Sequence, residues 1–276
     1  MKDIRIAAVI SHSPVNKIRH NLDQMVRLAG EAKKKGASII CYPEMNITGY
    51  STREDIIDAA EPVPGPITRE IVKLAESELI VILAGIAEKD SKGRIFASHL
   101  VIKPHEPLSV YRKLHISPPE RTIFTPGNKI PLFESHGVKF GIQLCYDAHF
   151  PELSTYMAIN GADIIFIPHA SPRGTPDEKF RSWMRHLPAR AYDNGLFVIA
   201  CNQTGDNGKG LGFPGIAMII GPSGEVLSKN LNGKQGMLIY DLKMDELNRV
   251  RNHRMRFFLP NRRPELYLPE PYLGDR

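Results

Sequence analysis

Three cysteines, Cys41, Cys145 and Cys201, each close an apolar run, and the residues that follow them differ. Tyr42-Pro43 follows Cys41, and the proline blocks helix entry at that point. Asn202-Gln203-Thr204-Gly205 follows Cys201 and reads as an open loop. Cys145 is followed by a tight turn, Tyr146 to Phe150, that leads into a helix near Pro151. A thiol at a strand-to-helix turn faces free backbone N–H groups and a positive dipole end, and both favour the thiolate nucleophile. A cysteine without such a turn is ordinarily a small inert hydrophobe, which is the reading for Cys41 and Cys201.

A nucleophilic thiol needs a base. His149 is near in sequence, but a residue four positions on is not automatically turned back toward Cys145. Two other strand ends carry suitable groups. Glu44 follows the run ASIICYP and precedes a glycine-containing loop, so a carboxylate sits where a buried strand emerges. Lys113 lies in VYRKLHISPPE, directly after a short strand. A desolvated lysine beside a carboxylate supplies a fixed positive charge for a developing oxyanion. Each residue also has an ordinary reading, Glu44 as a loop-capping carboxylate and Lys113 as a surface charge.

The elements that must position these groups alternate along the chain. Ile4–Ile10, Ala37–Cys41, Leu79–Ala87, Ile95–Ile102, Val138–Leu144, Asp163–Pro168, Leu196–Cys201, Ile216–Ile220 and Gly236–Asp241 read as strands. Ile18, Leu22, Met25, Ala29 and Ala32 fall three or four apart and predict an amphipathic helix that Gly36 stops. Further helices are predicted over Thr68–Ser77, from Pro151, and through Phe180, Trp183, Met184, Leu187 and Ala191 with a kink at Pro188. Interleaved strands and helices with hairpins among the crossovers predict one α/β domain over residues 1–276, built on mixed sheets.

Several separated segments together resemble the nitrilase, or carbon–nitrogen hydrolase, superfamily over about residues 3–245. They are Y-P-E-M-N-I-T-G-Y at 42–50, Y-R-K-L-H at 111–115, F-T-P-G at 124–127 and G-I-Q-L-C-Y-D-A-H-F-P-E at 141–152. The helix with Trp183, Arg190, Ala191 and Asn194, the Cys201-Asn202 strand end and G-P-S-G-E at 221–225 complete the match. The resemblance implies a four-layer αββα sandwich, commonly joined across a helical face into dimers or larger assemblies. It places the family's Glu–Lys–Cys triad on Glu44, Lys113 and Cys145, and its additional glutamate on Glu120. It implies hydrolysis of a non-peptide C–N bond through a thioester, with no metal or organic cofactor.

Tyr146-Asp147 after the nucleophile looks more like the amidase and carbamoylase side of the superfamily than the nitrilase side, where Trp-Glu is common. His149 departs from the Arg or Trp frequent at that place. The loop His169 to Pro176 is expected to line the pocket mouth, where Arg173 could clamp a substrate carboxylate or simply remain an exposed loop arginine. Tyr50, Tyr146, His149 and Arg173 are therefore the substrate-binding candidates. The expected substrate is a small amide or N-carbamoyl compound. A nitrile, an ammonia-transfer role beside a separate synthetase, and a non-catalytic binding role are the alternatives, and the intact triad opposes the last.

The bulk properties exclude other classes. The chain has 276 residues, 42% hydrophobic and 24% charged, the composition of a globular protein. Three cysteines without a C-x-x-C spacing, and ten histidines without H-E-x-x-H, leave no metal motif. The net charge of +6 is mild. Its densest part, Arg249, Arg251, Arg254, Arg256, Arg262 and Arg263, lacks the interleaved aromatics of a nucleic-acid surface. No apolar run is long enough to span a bilayer, and the amino-terminal stretch carries charge, so a cytoplasmic location is expected. The tail, residues 246–276, has its few apolar anchors at Phe257, Phe258, Leu259, Leu266, Tyr267 and Leu268, and is expected to pack on a neighbouring subunit of a homodimer or larger assembly.

Overall fold

The computed structural model describes residues 3–267. In chain order its strands are β1 (Ile4–Ile10), β2 (Ile39–Cys41), β3 (Val81–Lys89), β4 (Ile95–Ile102), β5 (Ser109–Arg112), β6 (Phe133–Ser135) and β7 (Val138–Ile142). They continue with β8 (Ile164–His169), β9 (Phe197–Asn202), β10 (Thr204–Asp206), β11 (Gly212–Pro214), β12 (Ala217–Ile220), β13 (Val226–Asn230) and β14 (Gly236–Leu242). One six-stranded sheet runs β14-β1-β2-β3-β4-β5 and the other β13-β12-β9-β8-β7-β6, while β10 and β11 form a separate hairpin. Only β1-β2-β3 and β7-β8-β9 pair in parallel. Both sheets are mixed, as expected.

Burial on both faces explains why the central strands read as continuous apolar runs. Along β1, Ile6, Ala8 and Ile10 face the second sheet, whereas Ala7 and Val9 face helices. Those helices are α1 (Ile18–Lys34) and, after the short α2 (Asp55–Ala59), α3 (Pro66–Glu78). Helix α1 buries Leu22, Met25, Ala29 and Ala32 of the predicted stripe and half-buries Ile18, with Leu28 added to the same face. On the far side lie α4 (Pro151–Ile159), α5 (Pro176–Trp183) and α6 (Leu187–Tyr192). The layers therefore run helix, sheet, sheet, helix, with the larger core between the sheets and under α4 and α6.

The structure departs from the sequence expectation at Pro188. The expected kinked helix is two helices, because α5 ends at Trp183 and α6 begins at Leu187. Proline has no N–H to donate and its ring clashes with the carbonyl four residues back, yet it is well tolerated in a first turn. The three-residue strands β6, β10 and β11 are too brief to carry a periodic signal, and β13, only partly buried, lacks an apolar run.

Helix α7 (Met244–Arg251) returns the chain to the second sheet. There the Arg251 guanidinium pairs with Asp163 at 2.6 Å and donates to the carbonyls of Ala162 and Gly195. Phe257 lies over Gly195, Leu259 packs on the core and Phe258 meets Tyr192. This part of the arginine-rich tail is thus anchored on its own chain; α8 (Pro264–Tyr267) follows, and Leu268 onward lies outside the described residues. Among the described residues no helix is long and apolar enough to cross a membrane.

Candidate active site

Beyond β2 the chain does not leave the sheet but continues along β3. Tyr42 N–H donates to Leu83 and Ile47 N–H to Gly85, while Asn46 Oδ1 and Thr48 Oγ1 accept from the N–H groups of Gly85 and Ala87. A Cβ at Gly85 would stand 2.1 Å from the Met45 nitrogen, so only glycine lets this segment lie so close. Gln203 adds a hydrogen bond to the Glu44 carbonyl at 2.8 Å. Glu44 is held by its backbone on both sides before its carboxylate makes any contact.

Lys113 is fixed in the same manner. Its N–H donates to Ala97 and its carbonyl accepts from Gly127 at 2.7 Å. A Cβ at Gly127 would meet the Arg112 carbonyl oxygen at 2.5 Å, which gives the glycine of F-T-P-G its physical reason. The Lys113 Nζ donates to Glu44 Oε1 at 2.8 Å and to both Glu120 oxygens at 2.8 and 3.0 Å. Ala170 N–H holds Glu44 Oε2 at 2.9 Å. Glu120 also accepts from Ser117 N–H, Ser117 Oγ and the Tyr50 hydroxyl. Each of the three charged side chains is at most 1% exposed.

Cys145 opens a 3-10 turn, Cys145–His149, immediately before α4, with a backbone φ of +44°. That left-handed conformation is costly for a residue with a Cβ and persists only where its surroundings enforce it. The half-buried Cys145 lines a cavity of about 450 Å³ together with Tyr50, Lys113, Glu120, Tyr146 and the 170–173 segment. A cavity of that size suits a small molecule. A comparable hollow lined by Leu114, Ile130, Phe150 and Tyr156 lies at the outer side of α4 and contains none of the triad.

Burial pushes Glu44 up to about 7, with the Glu120 charge adding to the rise and Lys113 opposing it. Burial also opposes ionisation of Glu120, but the charge and hydrogen bond of Lys113 and the bonds from Ser117 bring it below its usual range. Lys113, despite the burial that disfavours its charge, is held protonated by the two carboxylates. Burial raises the Cys145 thiol well above its ordinary value, and the Glu44 charge raises it further, against the pull of Lys113. Desolvation, which the turn alone does not show, favours the neutral thiol, so ionisation calls for a base, the role the sequence reading assigned to Glu44.

The sequence candidates divide cleanly in space. Tyr50, Tyr146 and Arg173 line the cavity with Lys113, Glu120 and Cys145, and Glu44 lies behind Lys113. His149 does not; it is exposed and stacks on His186 at a centroid separation of 4.5 Å. Cys41 and Cys201 are fully buried, with the Cys201 Sγ 3.7 Å from the Cys41 carbonyl. Sequence reading missed Gln203, Ser117 and Lys179. The Lys179 ammonium bonds Ser171 Oγ at 2.7 Å and the Pro172 carbonyl at 3.0 Å behind the cavity wall, and burial lowers its pKa. Gln203 reaches Glu44 across 159 residues and left no local signal, whereas Ser117 forms a Ser-x-x-Glu capping box with Glu120 that the sequence does display.

The description "carbon-nitrogen hydrolase" belongs to the family model that matches residues 5–252. The chain belongs to that family. It is 31% identical over 268 residues to a probable nitrilase of Schizosaccharomyces pombe, spanning 95% of this chain and 96% of the relative. An (R)-stereoselective amidase from a Pseudomonas species is 28% identical over 77% of this chain and 76% of its own. An amidase from Nesterenkonia sp. superimposes with a TM-score of 0.81 at 24% identity, covering 95% of this chain and 94% of that one. This last likeness is one of fold, two six-stranded sheets between helices, and it agrees with the sandwich expected above.

Proposed function

We propose that this carbon–nitrogen hydrolase is an amidase, cleaving a small amide or N-carbamoyl compound through a thioester on Cys145 and releasing ammonia. The observation that carries the reading is the buried Glu44–Lys113–Glu120 array beside a cavity that Cys145 also lines. Glu44 accepts the thiol proton as sulfur attacks the carbonyl carbon, then delivers a proton to the departing nitrogen. Lys113 and the Tyr146 backbone N–H stabilise the oxyanion. Glu44 next activates the water that hydrolyses the thioester. Glu120, ionised and bonded to Lys113, Ser117 and Tyr50, orients the lysine rather than exchanging protons.

The cavity favours neutral or acidic substrates. Its one lining carboxylate, Glu120, is already bonded to Lys113, and Arg173 has no ion-pair partner among the described residues. An amine-bearing substrate would find no free carboxylate there. In this reading Arg173, on the cavity lining, meets a substrate carboxylate, and Tyr50 and Tyr146 flank the amide.

The test is ammonia release from a panel of neutral amides, ω-amides of amino dicarboxylic acids, N-carbamoyl amino acids and nitriles. Amide turnover that vanishes in Cys145→Ala supports the reading. Turnover of nitriles alone would replace it with nitrile hydrolysis, the reading favoured by the relative named as a probable nitrilase. We further propose a cytoplasmic homodimer or larger assembly formed across the α4–α6 face, where Tyr156, Ile159, Met184 and Tyr192 remain exposed. A monomeric mass by light scattering, with activity intact, would overturn the assembly.

A further inference from the structure

Asp147 is fully buried two residues after Cys145, and all of its acceptor capacity points at the site's scaffold. Its Oδ2 accepts from Leu144 N–H at 3.0 Å and from the Tyr111 hydroxyl at 2.7 Å. Its Oδ1 accepts from His115 N–H at 2.8 Å and lies 2.8 Å from His115 Nδ1. Two consequences follow from these partners. The bond to Leu144 spans Cys145, closing a small ring around the residue that holds a φ of +44°. Tyr111 and His115 flank Lys113 on the other sheet, so the same carboxylate ties the nucleophile's turn to the lysine's strand end.

We propose that Asp147 is a positioning residue that holds Cys145 in its strained conformation and sets it in register with Glu44 and Lys113. A carboxylate is required for the task. In asparagine, either amide orientation would set an NH2 against the backbone N–H of Leu144 or of His115, neither of which can become an acceptor. Strain at a nucleophile persists only while its surroundings over-determine it, and losing one of two backbone anchors lets the turn relax. The inference rests on Cys145 being the nucleophile.

The experiment compares wild type, Asp147→Asn and Tyr111→Phe by steady-state turnover of propionamide and by the rate at which iodoacetamide alkylates Cys145, followed by intact mass as a function of pH. Relaxation of the turn by even an ångström is expected to lower kcat of Asp147→Asn about 10²-fold, with KM changing by no more than about threefold. The alkylation profile, which in the wild type should follow Glu44 as base, is expected to lose that dependence and move to higher pH, where the buried thiol must ionise unaided. Tyr111→Phe keeps both backbone bonds and is expected to show the same changes in smaller measure, about threefold to tenfold in kcat. It decides the matter if Asp147→Asn does not fold. A folded Asp147→Asn with wild-type kcat and an unmoved alkylation profile would overturn the proposal, as would an effect on KM alone. Alkylation needs no substrate, so a wild type that reacts with iodoacetamide but cleaves no amide would refute the proposed function and still decide this inference.

Discussion

At the floor of the cavity Lys113 and Glu120, with Glu44 bonded behind the lysine, are at most 1% exposed, and every carboxylate oxygen has a donor. At its edge Arg173 stands exposed on a loop, also with a positive φ, and its guanidinium has no ion-pair partner among the described residues. The first region is rigid because three buried charges persist only if they compensate one another. In the second, Arg173 itself is anchored through its backbone, by its N–H to Gly212. Removing a charge at the floor strands its partners in a medium that cannot solvate them. Removing one at the edge lets water take its place. On the proposed reading, chemistry and substrate choice are therefore separable.

The largest expected effect tests the floor. Cys145→Ala should abolish turnover with the fold intact by circular dichroism, since it removes only a sulfur atom facing the cavity. Turnover persisting in that variant, or an iodoacetamide adduct confined to Cys41 or Cys201, would break the assignment. Glu44→Gln should follow at about 10²- to 10⁴-fold loss in kcat, because the amide keeps the shape but accepts no proton.

Acidity sharpens the same point. As the proposed base Glu44 would act only when ionised, and with its pKa raised to about 7, kcat/KM should fall as pH drops through that value. Glu120→Gln removes a negative charge that raises Glu44, so whatever activity remains should have its acid limb at lower pH. A limb that stays put, or moves up, would show that Glu44 is not the group being titrated.

At the edge, Arg173→Ala should raise KM for carboxylate-bearing substrates by the loss of one charge-assisted contact, about 1.5 to 3 kcal/mol. Neutral amides should be spared. Equal effects on both would make Arg173 a surface residue and blur the contrast between floor and edge. Smallest of all, Cys41→Ala and Cys201→Ala should keep wild-type kcat and lose stability by about 1 kcal/mol, measured by urea unfolding.

Most of the elements were legible from the sequence because their burial is locally encoded. The strand IRIAAVI and the stripe through Leu22, Met25 and Ala29 announce themselves by period and length. The break at Pro188 was legible as a disturbance, but whether the chain kinks or starts a second helix depends on what packs around Trp183 and Leu187. His149 illustrates the limit for the site. It is close to Cys145 in sequence, yet the turn leaves it exposed against His186.

The sequence by itself determined which residue types stand at the ends of the strands, and hence that Glu44, Lys113 and Cys145 are the chain's chemical candidates. Strand ends are set by local patterning, and local patterning is what a sequence displays. Only the tertiary structure decided that Glu44 and Lys113, 69 residues apart, meet at 2.8 Å in a buried array beside the cavity that Cys145 lines. It alone also decided the state in which the thiol rests. The turn favours a thiolate through the nearby helix end, a short-range influence visible in sequence. Burial beside the cavity favours the thiol, and that desolvation exists only once distant segments have closed around the residue.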